Sequence, residues 1–431
     1  MHFRTRTLLT GAALTLLLVA CAAALGASNA SAASRHASAK IHKISACGTV
    51  VKSPGTYELT KSLTDVGTGY CITLEGNNIT LYLDGHTITG TGGDTCVYIT
   101  GLSNTETVNN TVVGGMMATK KRAKPMSATL KNCEYGLYSS FTSGTMVSNL
   151  NIVSPTGYGV YADYDGGMTL SHVNVALHGN KAYGMYFEYG SNNLITKSSV
   201  DNNSNDESFY AYEEVGDTFS LDTAKNGHSG NGATGFYDYE CSRDTYTHDA
   251  SKGNYYGFYL EGDGYGTVTA THNTASGPTT TGPIGFYVYE AYQEADTGSP
   301  FHTMLSHNKT TGFQYGFDDQ SNDSYSQAET WIGNTADNYT EYGFYIDYTV
   351  NYTMVGNVAD ANTKTKKYDG SSTSYGFYLD DPYSYEPFRA FNNNQAYDNE
   401  YGFYSDEYMV GGTGNVAKRN KYAAYDVEIT G

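Results

Sequence analysis

The feature that most constrains this chain is a recurring phrase, Tyr-Gly-Phe-Tyr followed by an aliphatic residue and an acid. It is clean at Tyr256-Gly257-Phe258-Tyr259-Leu260-Glu261, Tyr342-Gly343-Phe344-Tyr345-Ile346-Asp347, Tyr375-Gly376-Phe377-Tyr378-Leu379-Asp380 and Tyr401-Gly402-Phe403-Tyr404-Ser405-Asp406. Looser copies centre on Gly136, Gly159, Gly184, Ser208, Gly235, Gly285, Gly316 and Ala423. Their mean spacing of about 26 residues lies where sequence repeats signify a stack of like units. A chain of 431 residues would otherwise suggest two or three domains. One repeat running through most of it predicts a single elongated solenoid instead.

Within each repeat a short strand precedes an Asn-rich turn and the Tyr-Gly-Phe-Tyr strand follows it, as in Val355-Gly356-Asn357-Val358 and Gly414-Asn415-Val416-Ala417. Upstream, Ile79, Leu81 and Leu83 alternate with polar residues, and no stretch has the apolar spacing and caps of a helix. A lone strand buries one side only when a neighbour covers it. Stacked coils supply that neighbour, each strand pairing in parallel with its equivalent about 4.8 Å away. The expected fold is all-β: a single-stranded right-handed parallel β-helix of about 15 coils of roughly 26 residues. The period of two sends Phe258 inward, Tyr259 outward, Leu260 inward and Glu261 outward. Gly at the turn is expected to supply a backbone angle that a Cβ would penalise. Asn334, Asn357 and Asn415 are expected to bond backbone groups at turns and to stack coil on coil.

Before the repeats, Arg4 and Arg6 precede an uncharged run from Leu8 to Leu25, which reads as a secretory signal over residues 1–33. Leu18-Val19-Ala20-Cys21 also fits a lipoprotein box, which would place a lipid anchor on Cys21. Residues 34–44 then read as a linker and 45–431 as the β-helix domain, secreted or held at the cell envelope, without a membrane span. Export permits disulfides. Cys47 with Cys71 is the preferred pair and Cys96 with Cys133 a second, which leaves Cys241 over. No Cys-x-x-Cys unit supports a thiolate metal site, and no metal site is assigned.

The formal charge of −19, from 44 acids against 25 bases, disfavours nucleic acid and anionic membrane as partners. It suits neutral glycans, cations and basic partners. A monomer is expected.

The pattern resembles the right-handed parallel β-helix repeat proteins of the pectin-lyase-like superfamily, within it the NosD-like and carbohydrate-binding or sugar-hydrolase repeat group. The Asn turn before Tyr401-Gly402-Phe403 carries that resemblance. So does the opening from Cys47-Gly48 through Pro54-Gly55-Thr56-Tyr57 to Leu83-Asp84-Gly85-His86. It implies the fold and leaves the activity open, since such scaffolds host lyases, hydrolases, epimerases and non-catalytic proteins. The Gly-His-Gly that polygalacturonase-like hydrolases carry is absent, and Arg243 and Arg389 sit in no lyase-like motif.

Outward tyrosines form the candidate surface: Tyr237, Tyr259, Tyr287, Tyr345, Tyr378 and Tyr404, with Glu261, Glu290, Asp347 and Asp380 among the acids beside them. Glu213 and Glu240 fall into the same acid column. Phenol rings flanked by carboxylates suit an extended polysaccharide; equally, the tyrosines are strand formers that stack on one another and the acids keep the rod soluble. At Phe317-Asp318-Asp319 the phrase breaks. Asp318 and Asp319 are the catalytic pair if the chain is a hydrolase, or a calcium site shared with Glu290 or Asp347. No other cofactor is expected. His248, His272 and His307 could stack into a copper or zinc site, but their intervals of 24 and 35 residues do not guarantee a shared face, and they read as surface or turn histidines.

The sequence reading thus expects non-catalytic binding of extracellular polysaccharide, with a polysaccharide hydrolase or a structural and adhesive surface protein as alternatives.

Overall fold

The computed structural model describes residues 40–427, apart from 66, 68, 102–106, 116–126, 179–181, 203–205, 228–231, 263–265, 279–281, 291–300, 321–328, 348–351, 362–372, 381–387 and 407–409. The signal segment, Cys21 and the basic run at Lys120–Lys124 lie outside the described residues.

Short strands wind into a right-handed parallel β-helix. One face is a 15-stranded sheet, with one strand from each successive coil from Thr49–Val51 to Tyr422–Tyr425. The remaining coil strands pair in parallel along the other faces, where the eight-residue strands Met146–Val153 and Thr169–Ala176 each contact two rows. Among the described residues there is no helix, and so none long and apolar enough to cross a membrane. The strand Ile41–Ile44 already pairs with Gly55–Leu59, inside the stretch expected as linker. Ile44 is buried, so a strand capping the first coil covers apolar surface there.

Alternation sets the core. In Tyr256–Gly262 the residues Phe258 and Leu260 are buried while Tyr259 and Glu261 are partly exposed, as period two requires. Equivalent inward rings meet face to face through successive coils: Phe209 on Phe236 at 4.7 Å, Phe236 on Phe258 at 4.7 Å, Phe258 on Phe286 at 4.5 Å and Phe344 on Phe377 at 4.7 Å between centroids. Trp331 is fully buried and packs near Phe317.

The glycine of the phrase is needed for space, not for a left-handed angle. Gly257 is absent from the positive-φ glycines, but a Cβ there would lie 2.4 Å from the Gly285 carbonyl oxygen of the next coil. At Gly376 the corresponding contact, to the Gly402 carbonyl oxygen, is 2.5 Å. The ladder skips this residue: Tyr256 pairs with Ile284 and Phe258 with Phe286.

A second ladder runs inside the turns. The Oδ1 of Asn357 accepts the Asn334 N–H at 2.9 Å, and its Nδ2 donates to the Trp331 carbonyl at 2.9 Å. Asn273, Asn308, Asn334, Asn394 and Asn415 repeat this, each Oδ1 accepting the N–H of the preceding rung. Buried backbone donors that strand pairing leaves over are thereby satisfied. In two earlier coils the rung is an acid: Asp222 accepts Ser198 N–H and Asp249 accepts Asp222 N–H. Cys47 is joined to Cys71, and Cys96 to Cys133; Cys241 is free and buried.

Candidate functional site: the tyrosine face

The outward column of the 15-stranded sheet runs without change of register through Tyr98, Tyr138, Tyr161, Tyr186, Tyr210, Tyr237, Tyr259 and Tyr287. Asp318 takes the next place, and Tyr345, Tyr378, Tyr404 and Tyr425 continue the column. Neighbouring rings are in contact: Tyr210 lies flat on Tyr237 at 4.7 Å, Tyr259 meets Tyr287 edge-on at 4.7 Å, and Tyr378 lies flat on Tyr404 at 5.0 Å. Coil stacking therefore covers much of each ring face, and edges and hydroxyls are what the column offers outward.

The first tyrosine of the phrase forms a second column beside it, which alternation alone does not reveal. Tyr135, Tyr158 and Tyr183 stack at 5.3 and 5.1 Å, and Tyr315, Tyr342, Tyr375 and Tyr401 at 5.1, 5.2 and 5.1 Å. Strict period two would send Tyr256 and Tyr259 to opposite faces. The skipped glycine shifts the parity and leaves both partly exposed.

Carboxylates tie the phenols down. Tyr237 donates to Glu261 at 2.8 Å and Tyr345 to Asp380 at 2.8 Å, while Tyr161 donates to Glu188. Burial, and then the hydrogen bond to Glu261, pushes the Tyr237 phenol well above its usual range; burial and Asp380 do the same to Tyr345. These hydroxyls stay protonated as donors at any physiological pH.

The acid column is shorter than the sequence suggests. Asp163 and Glu188 occupy successive rungs, but the next two are Tyr212 and Tyr239, before Glu261. Glu213 and Glu240 sit one residue further along, at left-handed backbone positions where the strand turns. Glu290 pairs with Gly262, and the rung beside Glu261 belongs to Tyr289. An added tyrosine in Tyr287-Val288-Tyr289-Glu290 displaces the acid by one residue, which reverses its parity. Asp347 and Asp380 do share a rung.

Asp318 and Asp319, adjacent in sequence, take opposite sides of the strand. Asp318 stands in the tyrosine column, flanked by Tyr287 and Tyr345 and receiving Gln320 Nε2 at 3.3 Å. It is 1% exposed, and burial, with Asp319 and Asp347 nearby, raises its carboxyl well above the usual range. Asp319 fills the inward column between Val288 and Ile346. There it faces the buried Glu329, whose carboxyl burial and Asp319 raise, and which accepts hydrogen bonds from the backbone and hydroxyl of Thr303.

His248, His272 and His307 do form a stack, with ring centroids 5.1 Å apart at each step. The 35-residue interval from His272 to His307, longer than the 24 residues from His248 to His272, hid this.

The geometry is that of a named scaffold. Residues 135–291 match the family described as right handed beta helix region. No curated protein sequence matches the chain. Among solved structures, a periplasmic alginate epimerase, AlgG, is 15% identical with a TM-score of 0.41, over 66% of this chain and 76% of that one. The catalytic domain of a GH87 alpha-1,3-glucanase in complex with tetrasaccharides is 12% identical with a TM-score of 0.41, over 91% of this chain and 62% of that one.

Proposed function

We propose that the chain is an extracytoplasmic, carbohydrate-engaging β-helix protein that lays an extended polysaccharide along the tyrosine face. The observation that carries this reading is the outward tyrosine column from Tyr98 to Tyr425, interrupted only by Asp318, with phenols that donate to Glu188, Glu261 and Asp380. Such a strip repeats at the coil spacing of about 4.8 Å. It presents acceptors and phenol edges that match the hydroxyls and apolar rims of successive sugar units. The apolar segment at Leu8–Leu25 supports export, and the acidic balance favours neutral or cationic glycans over anionic ones.

A second reading, catalysis on the bound glycan, is favoured by one place. Asp318 interrupts the column, and its raised carboxyl is suited to deliver a proton. Asp319 lies in the interior column, so the partner would be Asp347, the acid whose charge Asp318 feels from the next coil.

A panel of immobilised glycans assayed in parallel for retention and for new reducing ends separates the two. Retention without product supports binding. Product that disappears in Asp318→Asn supports catalysis, and neither retention nor product would refute both.

A further inference from the structure

We propose that Asp238, Cys241 and Asp244 form a buried structural site for a divalent transition-metal ion, zinc by its donor set. The three residues come from one corner of one coil. One ligand atom from each lies within 4.8 Å of the others, and all three side chains are completely buried.

Two features point to a ligand beyond the grouping itself. The Oδ1 of Asp238 and the Oδ2 of Asp244 have no hydrogen-bond donor, although both lie in the interior. The other oxygen of each is fixed: Asp238 Oδ2 accepts the Tyr246 hydroxyl at 3.0 Å, and Asp244 Oδ1 accepts the Asp217 N–H at 2.8 Å. Each carboxylate is thus oriented by one oxygen and left with the other to spare, the arrangement that supporting hydrogen bonds give metal ligands. The Glu214 N–H reaches Cys241 Sγ at 3.4 Å and holds the sulfur at the same corner.

The second feature is uncompensated charge. Asp238 occupies an inward position that its neighbours fill with Ala211 and Leu260. Glu214 and Asp217 are buried one coil away, and none of these acids makes an ion pair with Lys or Arg among the described residues. Buried carboxylates without a counter-charge cost several kcal/mol each unless a proton or a cation neutralises them. A dication held by one sulfur and two carboxylate oxygens neutralises them directly. Zinc binds sulfur at about 2.3 Å and carboxylate oxygen at about 2.0–2.2 Å, so the three atoms close by roughly an ångström on binding. Binding requires all three ligands deprotonated, with any thiol or carboxyl protons released to solvent as the ion enters, so uptake is weaker at low pH.

The test uses the full chain, stripped with a chelator, reloaded with zinc, and freed of excess metal. Elemental analysis is expected to find about one zinc per chain, and cobalt substitution to give a thiolate-to-metal charge-transfer band. Asp244→Asn keeps the acceptor for Asp217 N–H, as Asn193 does on the same ladder, so the fold survives while the anionic ligand is lost. Zinc stoichiometry should fall at least tenfold in this variant, and the cobalt band should vanish in Cys241→Ser. The proposal is overturned if the wild-type chain retains no zinc, if Asp244→Asn retains it in full, or if the metal is lost only in His272→Ala.

Discussion

Replacing Asn357 by Asp changes one atom group and turns a neutral rung of the interior ladder into an ionisable one. Its Oδ1 can still accept the Asn334 N–H, but an ionised second oxygen would face the Trp331 carbonyl and the Asn394 Oδ1, to both of which the Asn357 Nδ2 now donates. Asp222 shows what such a rung does to a carboxyl: burial pushes it up from 3.8 to about 7. A group whose folded-state value is raised adds no penalty below its unfolded value and costs stability progressively as pH climbs to the folded value. About three units at 1.36 kcal/mol each gives a penalty of about 4 kcal/mol, absent near pH 4 and complete above pH 7. A protonated carboxyl has one donor where the amide has two, so Asn357→Asp should cost about 1 kcal/mol in urea unfolding at pH 4 and about 4 kcal/mol more at pH 8. Because a solenoid need not unfold in one step, hydrogen exchange of the Asn334 amide reads the same loss locally. A penalty of equal size at both pH values would refute the reasoning, because geometry rather than charge would then be responsible.

The wild-type chain already carries such groups, and its middle coils should lose protection between about pH 4 and pH 7, since burial raises Asp165, Glu207 and Asp222 to about 7; protection factors, corrected for the rise of intrinsic exchange with pH, that hold or increase over that range would contradict this. Gly257→Ala places a methyl 2.4 Å from the Gly285 carbonyl oxygen and should cost about 3 kcal/mol or more in denaturant stability, whereas a cost near the few tenths typical of a surface site would deny the close approach. Tyr237→Phe removes only the donor to Glu261 and should cost about 1 kcal/mol of stability, with weaker glycan retention if that hydroxyl orients the carboxylate for the ligand. No change in either property would remove the pair from the account.

The fold was legible because its signals are periodic. Phe258 and Leu260 face inward as alternation demands, and Asn334, Asn357 and Asn415 bond backbone from coil to coil as turn asparagines can. What alternation misses lies where the count slips by one. The glycine of the phrase drops out of the pairing, so Tyr256 joins Tyr259 outside, and the extra Tyr289 moves Glu290 off the acid rungs. Uneven spacing hides contacts in the same way, as between His272 and His307, 35 residues apart. Asp238 escapes a motif search altogether, since only the coil closes Cys241 and Asp244 around it.

The most direct measurement of the central claim is carboxyl footprinting of the chain with and without a glycan that retains it. Bound polysaccharide should protect Glu261, Asp347 and Asp380 on the tyrosine face and leave Asp201 and Asp337, at strand ends outside the 15-stranded sheet, as reactive as before. Protection confined to other faces, or unchanged reactivity at Glu261 and Asp380 under saturation, would contradict it.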